Sequence, residues 1–337
     1  MTLQQSQPVA VLGPGSWGTA LSVLLARNGQ SVRLWGHDPV HVAQLKAERV
    51  NRNFLPDIEL PATITPLDSL AEAVHGVQDV MVVVPSHVFK TVLEQLAAAV
   101  TGAIRLSWAT KGIEPENCCL LHETAISVFG PEQIMAVLSG PTFAREVAVG
   151  LPTAATLAAN DEAFARDLSG RFHCDHFRVY TTDDISGVEI GGAVKNVLAI
   201  ATGIADGLDF GANTRAALVT RGLAEMMRLG VAVGGRRETF MGLAGLGDLV
   251  LTCTDNQSRN RRLGLALGRG EDLDKALASI AQVVEGVQTA RQVMQLAGRF
   301  DIDMPISARV YEVLYEHVDV ALAVKELLSR EPKAETE

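Results

Sequence analysis

The chain has 337 residues, 47% of them apolar and 20% charged, with a formal net charge of −10. That length allows one or two domains with ample core, and the composition is that of an ordinary soluble protein. The acidic balance argues against nucleic-acid and membrane-surface binding, which need a basic field, but a few local basic groups would still suffice for a small anionic substrate.

The chain opens with MTLQQSQPVAVLG. No basic segment precedes the apolar run, so no secretory signal is expected. A strand over 8–12 runs into Gly13-Pro14-Gly15-Ser16-Trp17-Gly18, and a helix over 18–28 follows. Strand, glycine turn and helix in that order are the setting of a dinucleotide-binding fingerprint. Gly13 permits the tight turn, Gly15 lets a pyrophosphate approach the backbone, and Gly18 lets the helix pack on the strand. The helix start adds N–H donors and a positive dipole end. The alternative is a glycine turn without a ligand.

Further strands are predicted over 31–35, 79–84, 104–109 and 134–139, with helices over 88–98 and 123–129. Two more strands, 153–158 and 177–182, flank a helix begun by NDEAFARDL. Such alternation implies right-handed crossovers and a mostly parallel sheet. At the end of the second strand stand His37 and Asp38. Asp38 would hydrogen-bond a ribose diol, as NAD requires, whereas His37 and Arg33 would accommodate a 2′-phosphate. Both NAD and NADP remain open.

Ligands of open α/β sheets bind beyond the carboxyl ends of the strands. Three such ends carry Pro85-Ser86-His87, Thr110-Lys111-Gly112 and Gly140-Pro141-Thr142. Lys111 is expected to point into the cleft rather than into water, and His87 reads more readily as a turn histidine than as a catalyst.

From Gly187 onward strand signals fade, and helices are predicted over 186–208, 213–233, 258–269, 286–298 and 306–316. Thr182, Asp183 and Asp184 are good N-cap types for the first of them. The expected architecture is therefore α/β: a doubly wound, Rossmann-type parallel-sheet domain over 1–184, then an all-α domain over 185–337. The tail SREPKAETE reads as solvated and frayed, and no apolar run reads as long enough to span a bilayer.

The helix GVEIGGAVKNVLAIATGIADG places Lys195 in apolar surroundings, with Gly191 and Gly192 on its face. Two glycines in a helix interior suggest that something flat, such as a nicotinamide ring or substrate, comes close there. A snorkelling lysine with glycines for helix packing is the plainer account. Asp248 is placed to cap a helix or orient a cation. Ser258-Arg259-Asn260 stands at a helix start, where N–H groups and a guanidinium together suit a phosphate. Gln282 to Gly286 reads as core followed by an N-cap at Glu285. The cysteines, Cys118, Cys119, Cys174 and Cys253, form no CxxC pair. Reduced thiols, a cytoplasmic location and no metal site are expected.

Taken together, GPGSWGTA (13–20), VPSH (84–87), TKGIE (110–114), LSGPTFA (138–144), GGAVKN (191–196), GLAGLGDLVLTC (242–253), SRNR (258–261) and VVEGV (283–287) span nearly the whole chain. In that order they resemble the bacterial NAD(P)-dependent glycerol-3-phosphate dehydrogenases. Pro14 departs from the small residue common in that family, and proline suits an open turn. The resemblance implies reversible hydride transfer between NAD(P)H and dihydroxyacetone phosphate, giving sn-glycerol 3-phosphate for phospholipid synthesis, and the expected assembly is a homodimer. It implies Lys195 as proton donor and acceptor. Lys111, Gly140, Thr142, Asp248, Ser258, Arg259 and Asn260 would hold substrate. Ser16, Trp17, His37, Lys111, Ala144, Arg259, Val283 and Glu285 would contact the cofactor. Two other readings compete. One is a two-domain dehydrogenase of the 6-phosphogluconate or β-hydroxyacid type, against which Asp248 with Ser258-Arg259-Asn260 discriminates. The other is a non-catalytic nucleotide sensor, which would not need Lys195.

Overall fold

In the computed structural model, which describes residues 7–280 and 282–329, the first glycine turn joins β1 (Val9–Leu12) to α1 (Ser16–Arg27). Then come β2 (Val32–Trp35), α2 (Pro39–Glu48), a small ribbon of β3 (Val50–Asn51) and β4 (Leu55–Glu59), β5 (Ile64–Leu67) and α3 (Leu70–Val74). The sheet continues through β6 (Asp79–Val82), α4 (Ser86–Ala99), β7 (Arg105–Trp108), α5 (Leu121–Phe129) and β8 (Met135–Ser139). It closes with α6 (Ala144–Val149), β9 (Thr153–Ala159), α7 (Glu162–Phe172) and β10 (Phe177–Thr182).

The eight-stranded sheet runs β10-β9-β8-β7-β6-β1-β2-β5. Every pairing is parallel except β8 with β9. Val9 of β1 lies opposite Val32 on one side and Asp79 on the other. The order of winding reverses between β1 and β6, so a topological switch point opens at their carboxyl ends, beside the Gly13 turn. Central strands such as Val9–Leu12 are buried on both faces, which is why they read as unbroken apolar runs.

The elements missing from the prediction are α2, β3, β4, β5 and α3 between residues 36 and 78, together with α6 and, in the second half, the short elements Arg237–Phe240, Leu243–Gly247, Asp248–Thr254, Leu273–Ile280 and Val320–Leu328. In α2 only Val42 and Leu45 are buried, too few to set a periodicity. β5 carries Pro66 and pairs only with β2 at the sheet edge, where a residue without an N–H costs nothing.

The second half is helical: α8 (Ile185–Gly207), α9 (Gly211–Ala232), α10 (Arg237–Phe240), a π-helical turn over Leu243–Gly247, and α11 (Asp248–Thr254). It ends with α12 (Arg259–Gly268), α13 (Leu273–Ile280), α14 (Glu285–Arg299), α15 (Pro305–Tyr315) and α16 (Val320–Leu328). Asp184 caps α8, its carboxylate accepting from Gly187 N at 2.9 Å. The same side chain accepts from Arg236 N at 2.9 Å and from the Thr239 hydroxyl, which ties the start of α8 to the segment around α10.

α8 corrects one expectation. By length and hydropathy it would suffice to cross a membrane, and 94% of that window is buried inside the fold. A helix apolar all round is either lipid-facing or a core helix, and α8 is the core helix against which α9, α11, α12, α14 and α15 pack. Its closest partner is α12. A Cβ on Gly203 would stand 2.3 Å from Arg261 O, and one on Gly264 would stand 2.1 Å from Ile200 O. The two backbones meet at that spacing because neither helix has a side chain there. Apart from Ser329, the tail expected to be frayed lies outside the described residues.

Candidate active site

The switch point opens into a cleft of about 980 Å³ between the sheet and the helical half, a size that suits a dinucleotide with a small substrate. The glycine turn forms one end. Gly13 has φ +114, and a Cβ there would stand 2.4 Å from Val83 O. A Cβ on Gly18 would stand 2.0 Å from Gly13 O. These two glycines let the turn lie against the end of β6 and α1 lie against the turn. Gly15 differs: it lines the cleft, and a Cβ on it would meet no atom within 4 Å. Space is kept open at the N-terminus of α1, as the fingerprint requires for a pyrophosphate. Ser16 and Trp17 line the same end, and the buried indole Nε1 of Trp17 has no partner.

The adenosine end lies past β2. His37 and Asp38 are both exposed, His37 does not line the cleft, and Asp38 caps α2 by accepting from Val40 N at 2.9 Å. The suggestion that Arg33 meets a 2′-phosphate is corrected: its guanidinium donates to Glu72 O at 3.0 Å and His75 O at 2.7 Å, at the end of α3.

At the base of the cleft three charged side chains converge from three elements. Lys111 follows β7, Lys195 projects from α8, and Asp248 opens α11. Asp248 is 1% exposed and bonds both lysines. Its Oδ2 accepts from Lys111 Nζ at 2.6 Å, and its Oδ1 accepts from Lys195 Nζ. Lys195, 6% exposed, also donates to Thr252 Oγ1 at 3.0 Å, while that hydroxyl donates to Asp248 O at 2.6 Å. Two of the three N–H groups of the ammonium are thereby held, leaving one for a ligand.

The charges are unequally balanced. Burial pushes Lys195 down, and the Asp248 carboxylate opposes this while Lys111 adds to it, leaving the pKa at about 8. Burial would raise Asp248, but Lys111 and then Lys195 outweigh it and hold the carboxyl below its ordinary range. The result is a buried lysine poised near neutrality at the base of the cleft.

Gly140 and Thr142 form the wall beside Lys111. Gly140 O accepts from Lys111 Nζ at 3.4 Å and from Thr142 Oγ1 at 3.2 Å. Thr142 and Ala144 line the cleft, and Gly140 is buried beside Lys111. Exposed His87 lies in the first turn of α4 and does not face the cleft.

The far wall is the start of α12. Ser258 is its N-cap, accepting from Arg261 N at 3.2 Å. Arg259 opens the helix and lines the cleft. Asn260 is held on both sides: its Nδ2 donates to Asn196 Oδ1 at 3.0 Å, and its Oδ1 accepts from Gly286 N at 2.8 Å. Asn196 keeps a buried Nδ2 with no partner, and it too lines the cleft. Arg261 serves the fold instead, pairing with Asp206 at 2.6 Å and donating to Cys253 O at 3.0 Å.

Three readings are corrected here. Gly191 and Gly192 do not face an open space. A Cβ on Gly191 would stand 2.3 Å from Ala244 O, and one on Gly192 would stand 3.1 Å from Ser139 Oγ. They let α8 lie against the π-helical turn and β8. Val283 is not core: it is 51% exposed and lines the cleft. Glu285 is not the N-cap, a place taken by Val284; it is the first residue of α14 and lines the cleft. Sequence reasoning also passed over Thr252, although it sits four residues after Asp248 on the same helix face, and over Phe54 and Leu55, which line the cleft from the ribbon. No local signal marks the last two. Among the described residues no group of three or more His, Cys, Asp or Glu could hold a metal ion, and the four cysteines are free.

Two family models match the chain. The N-terminal model of NAD-dependent glycerol-3-phosphate dehydrogenase covers residues 8–165, and the C-terminal model covers 184–325. A glycerol-3-phosphate dehydrogenase [NAD(P)+] of Vibrio vulnificus (strain YJ016) is 54% identical over 328 residues, 97% of this chain and 95% of the relative. One from Edwardsiella ictaluri (strain 93-146) is 55% identical, covering 97% of each. The crystal structure of glycerol-3-phosphate dehydrogenase from Coxiella burnetii superposes with a TM-score of 0.94 at 50% identity, covering 96% of this chain and 99% of that one. A ketopantoate reductase from Ralstonia eutropha JMP134, at 17% identity and a TM-score of 0.59, shares the fold alone. With both halves matched and the relatives aligned almost end to end, the chain belongs to the NAD-dependent glycerol-3-phosphate dehydrogenase family.

Proposed function

We propose that this enzyme catalyses reversible hydride transfer between NAD(P)H and dihydroxyacetone phosphate, giving sn-glycerol 3-phosphate for phospholipid synthesis. The observation that carries the reading is the Lys195–Asp248–Lys111 set at the base of a cleft with the glycine turn at one end and the start of α12 opposite. When bound, the nicotinamide supplies or accepts the hydride. The chain does the rest. Reduction of a ketone leaves negative charge on its oxygen, and Lys195 Nζ supplies the proton there, with Lys111 adding positive charge. In the reverse direction Lys195 takes the proton back. Asp248 keeps Lys195 charged against the pull of burial and aims its remaining N–H.

Arg259 and the free N–H groups at the start of α12 hold the substrate phosphate, with Ser258 setting the cap, and Asn260 and Asn196 orienting the glycerol end. Gly140 and Thr142 complete the substrate wall. Gly15, Ser16 and Trp17 receive the pyrophosphate in the turn that Gly13 and Gly18 shape, and His37 the adenosine end. Ala144, Val283, Glu285, Lys111 and Arg259 flank the rest of the cofactor. We divide the chain into a dinucleotide-binding domain over 1–184 and a helical catalytic domain over 185–337, and assign it to the cytoplasm as a homodimer. A direct test mixes the protein with NADH or NADPH and dihydroxyacetone phosphate and follows the reduced-nicotinamide absorbance. Decay that requires the phosphorylated ketone is expected. No decay with either cofactor would sink the reading.

A further inference from the structure

Asn51 is 0% exposed although it sits in the two-residue strand β3, which pairs only with β4 in the small ribbon. Its side chain is fully committed. Nδ2 donates to Pro14 O at 2.8 Å and to Thr19 Oγ1 at 2.8 Å, and Oδ1 accepts from His41 Nε2 at 3.0 Å. A second stitch joins the same ribbon to the same turn, where Ser16 Oγ donates to Phe54 O at 2.8 Å. The ribbon thus grips the glycine turn through two side-chain hydrogen bonds, from Asn51 and from Ser16.

The grip has a directional consequence. Among the described residues every peptide bond is trans, and a trans peptide is planar, with its C=O and N–H pointing opposite ways. The Pro14 carbonyl and the Gly15 N–H belong to one such plane. Asn51 holds the carbonyl end on the buried side. The N–H end is therefore turned the other way, where Gly15 lines the cleft and a Cβ would meet no atom within 4 Å. Gly15 is the N-cap of α1, so its N–H is not needed inside the helix.

We propose that Asn51 is a positioning residue for the dinucleotide, aiming the Gly15 N–H at the pyrophosphate by holding the opposite end of its peptide plane. This rests on the cofactor reading given above. With no amide donor, the Pro14 carbonyl would be buried without a partner and would rotate towards another donor, carrying the Gly15 N–H with it. The Thr19 contact plays no part in the aim, because Thr19 lies a full turn into α1.

The test uses Asn51→Leu and Asn51→Asp. The second keeps the volume and the acceptor for His41 and loses both donors. Dissociation constants for NADH and NADPH are measured by nicotinamide fluorescence, alongside steady-state kinetics and thermal melts. Both variants are expected to raise the dissociation constant and KM of both cofactors by about tenfold, the scale of one buried hydrogen bond left unmade. The kcat and the KM for dihydroxyacetone phosphate stay within about twofold. Thr19→Val, which keeps the Pro14 bond, binds both cofactors nearly as the wild type does. If one Asn51 variant does not fold, the other carries the measurement. Unchanged cofactor affinity in a folded Asn51 variant overturns the proposal. So does a lower kcat with unchanged KM, which would make Asn51 only a prop of the ribbon. Failure of the wild type to bind either dinucleotide would instead remove the cofactor reading itself.

Discussion

Replacing Asp248 by Asn takes away the carboxylate that Lys111 and Lys195 share while keeping an oxygen to accept from one of them. Lys195 lies in direct contact with that carboxylate and has a pKa of about 8. Two unit charges about 4 Å apart at an effective dielectric of about 20 attract by roughly 4 kcal/mol. The asparagine oxygen would return about 1.5 kcal/mol as an uncharged acceptor for the ammonium. The remaining 2.5 kcal/mol or so moves the titration of Lys195 down by about two pH units. The sign follows from which form works. Ketone reduction needs the ammonium, so the wild-type rate is present below about pH 8 and is lost above it. Near pH 7.5 the ammonium form is then scarce in the variant, and kcat/KM for reduction falls by on the order of tenfold or more. Glycerol 3-phosphate oxidation needs the free amine, so its rise with pH begins about two pH units lower in the variant. The assay is kcat/KM against pH in both directions at saturating cofactor, with Lys195→Met as the control that lacks the titration altogether. A reductive midpoint that stays near 8, or rises, would refute this account of Asp248.

The other expectations concern binding and packing. Arg259→Ala should lower kcat/KM for dihydroxyacetone phosphate at saturating cofactor by one to two orders of magnitude, from about 1.5–3 kcal/mol of charge-assisted contact, and should affect unphosphorylated dihydroxyacetone far less; equal losses on both substrates would exclude phosphate recognition. Gly15→Ala should melt like the wild type, since its Cβ meets nothing within 4 Å, yet bind NADH more than about tenfold more weakly because the methyl fills the pyrophosphate space; a calorimetric titration decides. Gly264→Ala drives a Cβ to 2.1 Å from Ile200 O and should cost about 1–3 kcal/mol or more, read as a melting-temperature drop of several degrees; a melt within a degree of the wild type would show that α8 and α12 can part freely.

The parts of this protein that depend on neighbours in the chain were legible from its letters. The strand–turn–helix around Gly13–Gly18, the cap at Asp184 and the helix start at Ser258 are local chemistry: a turn that needs glycine, a carboxylate that accepts N–H groups, a hydroxyl at an N-terminus. Lys195 stood out because a lone lysine in an apolar helix stretch must either snorkel to water or serve a site. The same local rules failed wherever the deciding partner is remote. Gly191 and Gly192 suggested room for a ligand, but what meets them is Ala244 and Ser139, brought there by the packing of α8 on the π-helical turn and the sheet. Val283 looked like core because it is apolar, yet α14, anchored through Gly286 to Asn260, holds it at the cleft. Asn51 carried no signal at all, since its three partners, Pro14, Thr19 and His41, are set by the ribbon folding back over the turn. Periodicity and caps act over a few residues. Which face meets which is settled by the burial of apolar surface summed over the whole chain, and only the tertiary structure carries that sum.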